Sequence, residues 1–179
     1  MIIAVTGSFG SGKSSVAKIM KKFSKSEIVD ADRIADKIFQ KNKEKIKHEF
    51  GTLDKKKIAE IVFSDEKKLR KLNSIIHPAV IKEIKKNVQK KKDLILDVPL
   101  LIETELHRTA NIVIVVRAPE KEKIKRLGEK GFTKKQIKNR VNHQLSDREK
   151  IKHADYVIKN NKNLEHLEKE VEKIWQMIK

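Results

Sequence analysis

No cysteine occurs among the 179 residues. The chain therefore has neither a disulfide framework nor a thiolate metal site, which fits a reducing compartment. Aromatic residues are scarce, with one Trp, one Tyr and six Phe. So few stacking platforms argue against unpaired nucleic acid as a partner. No run of about 18 apolar residues is present, so no transmembrane helix is expected. The first apolar stretch, Ile2 to Val5, is too short for a signal peptide and runs straight into a glycine-containing loop. A cytoplasmic protein without a membrane partner is the expectation. The six histidines show no metal-ligand spacing. There is no internal repeat and no Pro- or Ser-rich linker.

Acidic residues are also in deficit: 43 Lys and Arg stand against 25 Asp and Glu, a net charge of +18. The lysines spread along nearly every predicted helix, as in Lys41 to Lys47, Lys82 to Lys92 and Lys121 to Lys138. Scattered charge of this kind reads as a solvated surface that also attracts polyanionic small molecules such as ATP. It does not read as a nucleic-acid patch, and no nucleic-acid partner is expected. The hydrophobic fraction, 38%, is low, yet apolar residues come in sharp clusters, so the chain folds as a single unit.

What is present is concentrated at the N-terminus. Gly7-Ser8-Phe9-Gly10-Ser11-Gly12-Lys13-Ser14 has the spacing G-x-x-x-x-G-K-S of a phosphate-binding loop. Its glycines let successive N–H groups turn toward phosphate oxygens, and the helix that follows sets its positive end on the same anion. Lys13, read as solvent-facing, supplies a charge for the β- and γ-phosphates. The Ser14 hydroxyl can ligate Mg²⁺. The nucleotide site is thus expected over residues 7–15, from Gly7 to Ser15.

Five apolar segments read as strands: Ile2 to Thr6, Glu27 to Asp30, Leu94 to Asp97, Asn111 to Val116 and Tyr156 to Lys159. They are short and nearly continuously apolar, as in a parallel sheet buried on both faces. Helical spacing fills the gaps, over 15–23, 31–40, 55–63, 79–90, 119–127, 133–143 and 164–178, with one further helix after Ser64-Asp65. A break is expected at His77-Pro78, because proline disfavours helical geometry in the residue before it. Strands alternating with helices predict a doubly wound α/β fold with a five-stranded parallel sheet, its first and third strands central. The helical stretch between the second and third strands reads as an insertion.

Asp30-Ala31-Asp32 ends the second strand, and strand C-termini face the ligand crevice in such sheets. One carboxylate there can take the proton of an attacking hydroxyl, and another can help hold Mg²⁺; the plainer alternative is that Asp32 caps the next helix. Leu94-Ile95-Leu96-Asp97 has the pattern of a Walker-B strand, making Asp97 a candidate metal residue beside Ser14. Arg126, Lys130, Arg140 and Arg148 follow the fourth strand, where a nucleotide kinase commonly closes a lid.

These pieces occur in an order that resembles the dephospho-coenzyme A kinase family. The matching runs are the phosphate loop, Val29-Asp30-Ala31-Asp32, Leu72-Asn73-Ser74-Ile75-Ile76-His77-Pro78, Asp97-Val98-Pro99-Leu100-Leu101-Ile102-Glu103 and Ala154-Asp155-Tyr156-Val157-Ile158-Lys159-Asn160. The resemblance implies a three-layer P-loop kinase fold with a core (about 1–40, 93–118 and 153–179), a helical CoA-binding insertion (about 41–92) and a lid (about 119–152). It implies ATP and Mg²⁺ as cofactors and dephospho-CoA as the small-molecule substrate; a monomer is expected. Under it, Asp32 is the general base, and Lys13 and Arg140 are the phosphoryl-stabilising cations. Asn160 is part of the ATP site. Asp30, Asp32, His77, Pro99, Leu100, Leu101 and Glu103 are acceptor-side residues. Another P-loop nucleoside or nucleotide kinase is the alternative.

Two departures from the family pattern carry expectations of their own. The lid run Arg126-Leu127-Gly128-Glu129-Lys130-Gly131 is one residue short and has Lys130 near a usual arginine. Lysine lacks the guanidinium fork, so Arg140 is expected to carry more of the charge. The short Phe50 to Leu53 stretch is expected to trim the acceptor-side wall.

Overall fold

A computed structural model describes all residues, 1–179. Five parallel strands form one sheet in the order β2-β3-β1-β4-β5: β1 (Ile2–Thr6), β2 (Glu27–Asp30), β3 (Leu94–Asp97), β4 (Ile112–Arg117) and β5 (Tyr156–Lys159). The first strand is central, and β3 and β4 flank it. The fourth strand starts and ends one residue later than its apolar run suggests. Helices α1 (Lys13–Phe23) and α9 (Leu164–Ile178) cover one face and enclose a core cluster with Val5, Val16, Ile95, Ile114 and Val171. The other face carries Ala4, Val29, Leu96 and Val113, packed with Ile84, Leu101 and Leu106. Apolar side chains on both faces explain the near-continuous apolar strands.

Between β2 and β3 lie α2 (Ala31–Lys41), α3 (Lys43–Phe50), α4 (Lys55–Ser64) and α5 (Glu66–Lys90). They share a third apolar cluster built on Ile38, Ile46, Ile58, Val62 and Ile76. The expected break at His77-Pro78 does not occur, because α5 runs through Pro78 as one helix of 25 residues. Proline removes one N–H from the ladder and opposes helical geometry before it. Here tertiary packing outweighs that local preference: Ile76 is anchored in the third cluster and Ile84 in the second, on either side of an exposed proline. After β4 come α6 (Glu120–Gly128), α7 (Lys134–Asn142) and α8 (Asp147–Ile151). Thr133 and Ser146 begin α7 and α8 with capping boxes.

Strand register brings the chemistry together. Asp30 of β2 pairs with Asp97 of β3, which pairs with Val5 of β1, one residue before the strand's end. Both carboxylates therefore sit beside the start of the phosphate loop, at the carboxyl edge of the sheet.

Candidate active site

The loop after β1 is shaped by its glycines at two close approaches. Gly12 has φ 94° and ends the loop in the left-handed region. A side chain there would run into the Asn160 amide, and one on Gly7 would run into the Val116 carbonyl. No side chain caps α1, and no acidic residue lies in its first turn. The positive end of α1 is thus open to an anion, with Ser14 and Ser15 exposed there.

The loop is braced from outside. Asn160 Nδ2 donates to the Ser11 carbonyl at 2.8 Å, and Arg126 donates to Asn160 Oδ1 at 3.2 Å and to its carbonyl at 3.1 Å. Lys123 Nζ donates to Ser8 Oγ at 3.0 Å and pairs with Asp147 at 3.5 Å. Phe9 N–H donates to Gln144 Oε1 at 2.9 Å. Asn160 is placed at the loop, with both ends of its amide occupied by Ser11 and Arg126. Sequence reasoning did not single out Lys123 or this role of Arg126. Nothing in a lysine-rich helix distinguishes the one cation that turns inward.

Lys13 is 9% exposed, so the expectation of a solvent-facing lysine is incorrect. As the first residue of α1 it lies in the wall of a cavity rather than on the loop's outer surface. That cavity, about 270 Å³, is also lined by Asp32, His77, Pro99, Leu100 and Arg140. Its remaining walls are largely apolar, including Ile76, Val80, Ile84 and Leu106. Asp32 sits exposed in the first turn of α2 and does not cap it. The cap is Asp30, whose Oδ1 accepts from Arg33 N–H at 3.1 Å. Burial lowers the pKa of His77, favouring the neutral ring. Burial also lowers the pKa of Arg140, and the charge of Asp32 opposes that shift.

Asp97 is 3% exposed, and its Oδ1 has no hydrogen-bond partner. Burial raises its pKa; the Ser14 hydroxyl and the Lys13 charge pull the other way, while Asp30 and Asp32 add to the rise. A buried, unpartnered carboxylate oxygen beside a serine hydroxyl is an arrangement a hard divalent cation fits. No cluster of three or more His, Cys, Asp or Glu side chains surrounds it, so any such ion takes further ligands from phosphate and water.

Three of the expected acceptor-side residues lie outside the cavity: Asp30, which caps α2, Leu101 and Glu103. Leu101 is fully buried in the sheet-facing cluster. Glu103 accepts from Lys150 Nζ at 2.7 and 3.0 Å and from Leu145 N–H at 2.9 Å. Lys150 is fully buried and also donates to the Pro99 carbonyl at 2.7 Å. Its pKa is lowered by burial, and Glu103 works against that shift. This ion pair ties the loop after β3 to α8. The turn from Phe50 to Leu53 lines neither this cavity nor the second cleft between α4 and α7.

The Dephospho-CoA kinase family profile matches residues 1–166. A dephospho-CoA kinase of Fusobacterium nucleatum is 39% identical over 193 aligned positions, covering 99% of this chain and 98% of that one. A solved structure from Thermus thermophilus superposes with a TM-score of 0.80 at 28% identity, covering 100% of this chain and 98% of that one. Dephospho-CoA kinase from Campylobacter jejuni gives a TM-score of 0.70 at 28% identity over 99% and 96% of the two chains. With its five parallel strands, its phosphate loop after the first of them and a match across almost its whole length, the chain belongs to the dephospho-CoA kinase family.

Proposed function

We propose that Asp32, Lys13 and Arg140 carry the chemistry of this kinase, which transfers the γ-phosphoryl group of ATP to the ribose 3′-hydroxyl of dephospho-CoA and releases CoA and ADP. The observation that carries the assignment is convergence. These three residues come from α2, α1 and α7, and they line one cavity whose other walls are largely apolar.

Asp32 takes the proton of the 3′-hydroxyl as that oxygen bonds to the γ-phosphorus and the bond to the ADP oxygen breaks. Lys13, held in the wall by its place at the start of α1, neutralises charge gathering on the transferring group. Arg140 approaches the same group from α7, where its fixed fork can meet two phosphoryl oxygens. The open N-terminus of α1 receives the phosphates of the donor. Asp97 and Ser14 would hold Mg²⁺, which supplies charge neutralisation across the β- and γ-phosphates when bound. His77, Pro99 and Leu100 form the acceptor wall. Neutral His77 can then donate or accept a hydrogen bond without repelling Arg140.

In this reading α3 to α5 form the acceptor-binding insertion and α6 to α8 the lid. Asp32, Lys13 and Arg140 all come from one chain, as a monomer requires. No helix is long and apolar enough to cross a membrane, and a cytoplasmic site of action fits the chemistry. A coupled assay with ATP and Mg²⁺ tests the acceptor. Dephospho-CoA is expected to be turned over, and nucleosides, nucleoside monophosphates and shikimate are not. Preferred turnover of a nucleoside or nucleotide would replace the acceptor assignment with another P-loop kinase.

A further inference from the structure

The side chain of Arg140 is held by ring faces. Its guanidinium carbon lies 4.5 Å from the ring centroid of Phe9 and 5.8 Å from that of Phe63. Asp32 reaches it through charge rather than through a salt bridge. The two rings come from different parts of the molecule. Phe9 belongs to the phosphate loop and Phe63 to the last turn of α4, in the insertion. The column extends beyond them. Phe132, in the turn before α7, meets Phe9 edge-on at 5.2 Å. His143, just after α7, stacks on Phe63 at 5.7 Å and 27°. Phe63 also borders both the active-site cavity and the cleft between α4 and α7.

A guanidinium is planar and weakly hydrated, so it stacks on aromatic faces, and the attraction strengthens where water is excluded. A single face fixes the plane of the group. A second ring on another element also fixes where along the cavity the group stands. Removing the second ring leaves Arg140 on the Phe9 face but free to shift along the cavity. Catalysis by a positioned cation falls steeply with small misplacement.

We propose that Phe63 is a positioning residue for Arg140. The insertion supplies the second face of the stack, so the phosphoryl-stabilising cation reaches its working position only when α4 is docked against α7. The inference rests on the reading of Arg140 as that cation. It makes the acceptor-binding insertion a determinant of turnover and not of acceptor affinity alone.

A double-mutant cycle tests the proposal, using single-turnover and steady-state rates for Phe63→Leu, Phe63→Tyr, Arg140→Ala and the Phe63→Leu/Arg140→Ala double variant. Phe63→Leu is expected to lower kcat about tenfold with KM for ATP unchanged, while Phe63→Tyr, which keeps the ring, stays within about threefold of wild type. In the Arg140→Ala background Phe63→Leu should cost nothing further. Melting temperatures accompany the rates, and Phe63→Met replaces the leucine variant if that one does not fold. An equal loss from Phe63→Leu in both backgrounds overturns the proposal, as does a tyrosine variant no better than leucine or a leucine variant with full activity. If Arg140→Ala itself keeps wild-type turnover, the role of Arg140 fails first and takes the coupling with it. Loss in Arg140→Ala with additive effects sinks the coupling alone.

Discussion

The proposed donor side of the site is a tight glycine backbone braced by a few polar side chains, and the proposed acceptor side is shaped by packing. Around the phosphate loop, Gly7 and Gly12 leave no room for a Cβ, Asn160 bonds the Ser11 carbonyl, and α1 begins without a cap. Across the cavity, position depends on stacked rings, on α5 anchored at Ile76 and Ile84, and on the buried Lys150–Glu103 pair. A site recognising phosphates needs little more than aimed N–H groups, and many sequences meet that need in the same way. A site recognising one particular acceptor must be shaped by packing, which is specific to the chain.

The contrast predicts different failures on the two sides. Lys13→Ala should have the largest effect on rate. Turnover is expected to fall by about 10³-fold or more with the fold intact, because the lost charge acts mainly as the phosphoryl group leaves. Circular dichroism and kcat measured together check this. A folded variant with wild-type turnover would remove Lys13 from the chemistry.

Arg140→Lys is expected to cost about 10²-fold in kcat, since lysine keeps the charge but loses both the fork and the stacking plane. Lys130→Ala should change kcat by less than about twofold, as expected of a surface residue away from any such feature. Lys130 is exposed and lies outside both cavities. Rates at saturating ATP, Mg²⁺ and dephospho-CoA decide the comparison. If Lys130→Ala were the more damaging, the short lid run would place its cation at residue 130.

Glu103→Ala tests stability rather than chemistry. It leaves Lys150 buried without its partner, at a cost of about 3 kcal/mol in unfolding free energy by denaturant titration. Glu103→Gln, which keeps an acceptor for Lys150, should cost less. Equal stability of Glu103→Ala and wild type would show that the clamp holds nothing.

Much of the donor side was legible in the sequence, and less of the acceptor side. The strands were readable because both faces are buried, which leaves a continuous apolar run such as Leu94 to Leu96. The phosphate loop was readable because its geometry demands particular residues at fixed spacing. Pro78 misled because a local preference was outweighed by packing at Ile76 and Ile84, which no nearby residue reveals. The exposure of Lys13 was misjudged because a residue's position in a loop motif does not show which side of the loop becomes a cavity wall. The inward roles of Lys150 and Lys123 were hidden for a different reason. Among so many lysines, the inward-turning ones are identified only by partners such as Glu103 and Ser8, distant in the chain.

The comparison between the two sides is tested most directly by measuring ATP affinity and single-turnover phosphoryl transfer for Asp32→Asn beside wild type. Asp32 lines the cavity proposed to take the acceptor, and the phosphate loop is the proposed donor side. The expected result is ATP affinity unchanged within about twofold, with transfer slowed by about 10²-fold or more, the usual contribution of a general base. Loss of ATP binding with transfer chemistry preserved would contradict it: Asp32 would then be a nucleotide or metal residue, and Asp30 would become the candidate base.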